Sequence, residues 1–128
     1  MGLFFPVRQV TLHIPNTGPR GQGHLFVILT NRCAAGQHLL VPICSERPGC
    51  DRTCLLGAGD HKFIRKSSYV DYGLADIYAA DILIKRVEEG VFSYEGLMSS
   101  VAFAHIDAGI MQSGHMTPRM KKYYQINS

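Results

Sequence analysis

The stretch VRQVTLHIPNTGPRGQGHLFVILT, Val7–Thr30, decides how this chain is read. Val7–Ile14 alternates: Val7, Gln9, Thr11 and His13 fall on one side, Val10, Leu12 and Ile14 on the other. Period-two patterning rich in β-branched residues predicts a half-buried strand. Pro15–Gly23 packs three glycines and two prolines into nine residues, which neither a helix nor a central strand tolerates. His24–Thr30 is a near-continuous apolar run, the pattern of a strand covered on both faces. The loop joining the two strands is longer than a hairpin needs, and surplus loop length often carries function.

The same signals continue outward. NRCAAGQ makes the next turn, and His38–Cys44 reads as a third strand, with Pro42 placing it near an edge or a bulge. SERPGCD turns again through its Pro-Gly pair, and Arg52–Leu56 reads as a short fourth strand. The charged loop GDHKFIRKSS, Gly59–Ser68, leads into a fifth strand over Ser67–Tyr72. Tyr78–Val87 suits strand or helix, and its place after many strands favours a sixth strand. After Gly90 the period changes. Ser93 is positioned as an N-cap with Glu95 in the first turn, and Tyr94, Leu97, Val101, His105 and Ala108 trace a helical stripe ending near Ser113–Gly114. Thr117–Pro118 opens a short basic helix, RMKKYYQ. The expectation is one domain over residues 1–128, mainly β with C-terminal helices (β+α). It is a small open barrel from strands within 7–87, followed by one long and one short helix within 93–124.

Composition narrows the function classes. Apolar residues make up 46% and charged residues 18%, enough for a core, so a disordered chain is not expected. A net charge of +3 is compatible with a polyanionic partner without requiring one. The opening MGLFFPVRQV lacks the apolar core of a signal peptide, and Pro6 stands where a myristoylation site wants Ser or Thr. No apolar run approaches the roughly 20 residues that span a bilayer, so a soluble, cytoplasmic protein is expected, with no membrane contact. Cys33, Cys44, Cys50 and Cys54 then read as reduced thiols, two of them in or beside apolar runs. A zinc site on Cys50 and Cys54, with Cys44 or His61, is permitted by spacing but lacks a second clean pair. No cofactor and no metal are expected.

The order of three segments resembles a known family. HIPNTGPRGQGHLFVILT resembles the first hairpin of the MazF/PemK/Kid toxins, in which a Pro- and Gly-containing loop leads through Gly-His into an apolar strand. LLVPICS, Leu39–Ser45, resembles that family's third strand, and SYVDYGLADIYAADI, Ser68–Ile82, its later strand pair. The resemblance covers roughly residues 7 to 87, by the order of its motifs. It implies an SH3-like barrel of the CcdB/Kid/MazF type and a type II toxin–antitoxin component. It further implies an endoribonuclease cutting single-stranded RNA without metal, a homodimer, and a small antitoxin protein as partner. Departures stand out, among them the absence of the proline that ends the family's Gly-His-Arg-Pro. Leu25 occupies the place of the family's catalytic arginine, and Cys44 that of its threonine, with Ser45 next and available as an RNA contact.

Cleavage of RNA needs a base for the 2′-hydroxyl proton, an acid for the leaving oxygen and cations for the charged transition state. His24 and His61 are the candidates for proton transfer, with Asp60 orienting and Arg20 supplying a guanidinium. Lys62, Arg65 and Lys66 are candidate phosphate contacts, and Tyr69 or Phe63 a stacking platform for a base. Each has a plainer alternative. Asp60 can close a turn, His61 can be a hydrogen-bonded structural histidine, and the cations can guard a strand edge. His24 can cap its strand. Phe63 and Ile64 read as core residues. Met116, Met120, Tyr123 and Tyr124 are expected to dock the last helix, whose cations either face solvent or add a second basic surface. A non-catalytic barrel that binds protein or RNA is the alternative to the enzyme.

Overall fold

The computed structural model of the chain describes residues 4–128. An antiparallel meander forms its centre: β1 (Val10–Ile14), β2 (His24–Ile28) and β3 (Gln37–Ser45). Ile14 lies opposite His24, and Phe26 opposite Pro42. β2 lies mid-sheet, as its continuous apolar run requires. Leu25 and Val27 enter one core, while Phe26 and Ile28 enter a second on the other face.

β3 is long enough to serve two neighbours along its second edge. β6 (Asp76–Ala79) pairs with Gln37–Leu40, and β5 (Ser68–Val70) with Ile43–Ser45. Pro42 sits at the fork between them. Its missing N–H falls where neither strand pairs, and its carbonyl accepts the Asp71 N–H at 3.0 Å. A central strand therefore tolerates this proline. β4 (Leu55–Leu56) pairs with β5, and β7 (Ser93–Leu97) with β1. The path β4-β5-β3-β2-β1-β7 leaves an open sheet rather than a closed one. A single 3-10 turn, Tyr72–Leu74, links β5 to β6.

Two expectations are corrected. The strand expected over Tyr78–Val87 ends at Ala79 and continues as helix α1 (Ala80–Glu88). Tyr78, Ala80 and Ile82 alternate at period two, but Ala80, Leu83 and Val87 also share a helical face, and the apolar second core rewards the latter. The helix expected to start at Ser93 is strand β7 there. Its stripe residues Tyr94, Leu97 and Val101 are exposed rather than packed. The free edge of β1 captures this segment, and Gly96, at φ +82°, sits in a bulge that a helix cannot continue through.

The cap belongs to Ser99 instead. Its Oγ accepts the Ala102 N–H at 3.2 Å and opens α2 (Ser100–Gly109). α3 (Pro118–Asn127) begins as expected, with Thr117 Oγ1 accepting the Met120 N–H and Pro118 in the first turn. Phe103 and Ile106 of α2, with Met116 and Met120, cover one face of the sheet, and Tyr123 and Tyr124 pack against them. Leu83 of α1 covers the other face over Leu12 and Phe26. No helix among the described residues is long and apolar enough to cross a membrane.

Candidate functional site

The 15–23 loop folds on itself at one rim of the sheet. The N–H groups of Thr17 and Gly18 both reach the Gln22 carbonyl, at 3.0 and 2.9 Å. Thr17 Oγ1 donates to the Ile14 carbonyl at 3.2 Å and lies 2.8 Å from His24 Nδ1. With the hydroxyl proton committed to Ile14, Nδ1 of His24 must carry the ring proton and donate. Nε2 is then left as a bare lone pair. Burial holds the His24 pKa below its usual value, His13 lowers it further, and Asp71 opposes the shift. At neutral pH His24 is thus an uncharged imidazole with its basic nitrogen free, the form a general base requires.

A cleft of about 610 Å³ opens beside it, lined among others by His13, His24, Ser45, Phe63, Arg65 and Lys66. Among the described residues no carboxylate lines it, so two cations face it without a counter-charge in its wall. The sequence gives no functional signal for His13, whose place in the β1 alternation suits a purely structural residue. Strand pairing explains its arrival: Ile14 opposite His24 brings His13 to the same rim on the opposite face. Its ring stacks on Phe63, with centroids 6.3 Å apart and planes 20° apart. Gly23 permits this, since a Cβ there would strike the His13 ring.

The 57–67 loop divides its residues between two tasks. Asp60 Oδ2 accepts the Gly57 N–H at 2.8 Å, the turn-closing role. Nδ1 of His61 accepts the Phe63 N–H at 3.0 Å, so the proton sits on Nε2 and is donated to the Glu95 carbonyl at 2.9 Å. Thr11 Oγ1 lies 2.9 Å from that same nitrogen and donates to the Gly96 carbonyl. Both ring nitrogens are spent, and the ring ties the loop to β1 and β7. His61 and Asp60 are therefore fasteners, and neither lines the cleft beside His24. Arg65 and Lys66, farther along the same loop, do line it.

The remaining candidates separate in the same way. Ser45 ends β3 at the rim and lines the cleft. Arg20 is exposed in its loop and does not line the cleft. Lys62 leans toward Glu95, 3.8 Å away, rather than into the cleft. Tyr69 is buried, its hydroxyl donates to Asp71 at 3.3 Å, and it cannot stack a base. Phe63 is the exposed aromatic at the cleft rather than a core residue, because Ile64 takes the buried position. Among the described residues no group of three or more His, Cys, Asp or Glu side chains is placed to hold a metal ion. The Cys54 thiol is buried, and burial pushes its pKa up to about 11.

A pH dependence of stability follows from the buried imidazoles. His38 is fully buried, with Nδ1 on the Thr30 carbonyl at 2.9 Å and Nε2 without a partner among the described residues. Burial is the main cause lowering the pKa of both His38 and His61. The unfolded chain therefore binds more protons than the folded one once pH drops below the unfolded value near 6.5. Stability from these groups is complete above that pH and is lost as pH falls through it toward the folded pKa values. The urea midpoint is expected to be lower at pH 5 than at pH 7.5; equal midpoints would contradict the neutral assignment.

Comparison with protein-family models and with curated proteins returns no match for this chain.

Proposed function

We propose that this chain binds single-stranded RNA across the rim and cleaves it, as the toxin component of a type II toxin–antitoxin pair, resembling MazF/PemK-type endoribonucleases. The observation that carries this is His24: a neutral imidazole whose Nδ1 is held by Thr17, on the wall of a cleft that bears Arg65 and Lys66. In that chemistry His24 Nε2 takes the 2′-hydroxyl proton and the 2′-oxygen attacks the adjacent phosphorus. The bond to the 5′-oxygen breaks, and the His13 ring donates the proton that this oxygen takes up. The products are a 2′,3′-cyclic phosphate and a 5′-hydroxyl. Arg65 and Lys66 offset the charge on the five-coordinate phosphorus, and Phe63 offers a face on which a base can stack. Incubation of the purified chain with a long RNA in EDTA is expected to give discrete fragments; intact RNA would overturn cleavage.

Phosphate binding can be tested separately. The double variant Arg65→Ala, Lys66→Ala is expected to weaken binding of all RNA sequences alike and to flatten the salt dependence. On a single strand the log–log slope should flatten by roughly 0.7 for each phosphate the variant leaves unneutralised. Lys62→Ala, by contrast, should change the slope little. Equal slopes for the wild type and the double variant would remove these cations from the site.

A second reading, a non-catalytic RNA- or protein-binding barrel, is favoured by one observation. Leu25, after His24, is buried in the core, so no guanidinium follows the histidine into the cleft. RNA binding that depends on Arg65 without any fragments would decide for it. As partners we propose a second copy of the chain and a small antitoxin protein. Exposed Phe5, Tyr94 and Leu97 beside edge strand β7 offer one of them an apolar surface. A single-chain mass by ultracentrifugation at micromolar concentration would remove the homodimer.

A further inference from the structure

His24 also walls a second, smaller cleft on the other face of the sheet. It measures about 180 Å³ and is lined by Thr17, His24, Phe26, Leu74, Asp76 and Tyr78, with Pro42 at its back. Register explains the division. Side chains alternate between faces, so His24 and Phe26 share one face while Leu25 and His13 take the other. The large cleft is cationic. The small one has apolar and aromatic walls and a single carboxylate.

We infer that this small cleft is a nucleobase subsite that selects guanine. The inference rests on the RNA reading above and gives it a sequence preference. Phe26 and Tyr78 meet edge to face, with centroids 6.2 Å apart, and make a rigid aromatic wall. Leu74 stands at the mouth, 57% exposed, an apolar side chain with room to cover a ring. The volume suits one planar ring system and excludes a folded segment of a partner. Asp76 Oδ1 accepts the Ile77 N–H at 2.8 Å, which fixes the carboxylate, and Asp76 is exposed with no ion pair among the described residues.

A carboxylate accepts and cannot donate. Guanine presents two adjacent donors, N1–H and the N2 amino group, which one carboxylate can accept together. Adenine and cytosine set a ring-nitrogen lone pair beside their amino group, and uracil flanks its N–H with two carbonyls. Each of these three turns a lone pair toward Asp76. Because His24 stands between the clefts, a nucleotide whose base enters the small one can lay its phosphate toward His24 and the cations of the large one.

The test uses the full chain and the four nucleoside 3′-monophosphates, followed by amide chemical shifts in NMR titrations. All four should shift the Arg65 and Lys66 amides. Guanosine 3′-monophosphate should bind roughly ten- to hundredfold tighter than the others, the range for one good bidentate base contact, and should also shift Asp76 and Tyr78. Asp76→Asn, at an exposed position, should abolish the guanine preference, because an amide sets a donor beside its acceptor and so also matches the lone pairs of the other three bases. Equal affinity for all four bases, or a preference untouched by Asp76→Asn, overturns the subsite while shifts at Arg65 and Lys66 leave the RNA reading standing. No shift with any nucleotide overturns both.

Discussion

His24→Ala is expected to lower RNA cleavage by roughly 100- to 10,000-fold, the span that a positioned general base contributes. Binding of the RNA should change little, because the charges proposed to meet phosphate are those of Arg65 and Lys66, which line the same cleft. The variant should fold, since His24 is half-buried and, among the described residues, its side chain bonds the Thr17 hydroxyl alone. Thr17→Val provides a finer test of position. It removes the oxygen that holds Nδ1, so cleavage should drop by a smaller factor than in His24→Ala. The pH profile adds a readout that a structural role would not move. With the His24 pKa lowered chiefly by burial, the acid limb of the rate should lie below the ordinary imidazole value of 6.5. Gel assays of fragment yield across pH would show it. Undiminished cleavage by His24→Ala would exclude this histidine from the chemistry.

Asp51→Ala is expected to produce a large loss of stability. The Asp51 side chain is buried and accepts three hydrogen bonds: from Ser113 Oγ at 2.6 Å, from Thr53 Oγ1 at 2.5 Å and from the Thr53 N–H at 2.9 Å. Ser113 Oγ in turn accepts the His115 and Met116 N–H groups. One carboxylate thus fastens the loop before β4 to the connection between α2 and α3, 62 residues away. Burial acts to raise its pKa, but the bonds from Ser113 and Thr53 outweigh it, and the net shift is downward. Truncation leaves buried donors unpaired and opens a void. A loss of about 3 kcal/mol, lowering the melting midpoint by roughly 10 °C, is the expected scale for a domain of this size. Asp51→Asn should fall between, since an amide keeps one acceptor but points donors at a donor. Calorimetry returning an unchanged midpoint for Asp51→Ala would show that the network contributes nothing.

Some of this architecture can be read from local signals. The β1–β2–β3 meander is written in a period-two strand, two apolar runs and the Pro/Gly turns between them, all of which act over a few residues. The start of α3 is equally local, because Thr117 and Pro118 supply cap and first turn without help from elsewhere. Ser93–Leu97 defeats local reading. Its helical spacing is real, yet the unpaired edge of β1, far earlier in the chain, captures the segment as a strand. Tyr78–Val87 carries both periods at once, and only the core waiting above Leu12 and Phe26 chooses helix from Ala80 onward.

The histidines show where the division falls. From the sequence alone came a mainly β fold with C-terminal helices, a glycine-rich loop ending at His24, and a cationic loop over Gly59–Ser68. Which imidazole is free for chemistry was decided by tertiary structure. His61 and His24 look alike in sequence, each beside a loop and opening an apolar segment. Thr11, 50 residues before His61, and Glu95, 34 residues after it, consume its ring, while among the described residues His24 bonds Thr17 alone and keeps Nε2 open. His13 reaches the same rim through strand register. A hydrogen-bond partner that distant leaves no periodicity or spacing to read, because it exists only once the sheet has brought the three segments together.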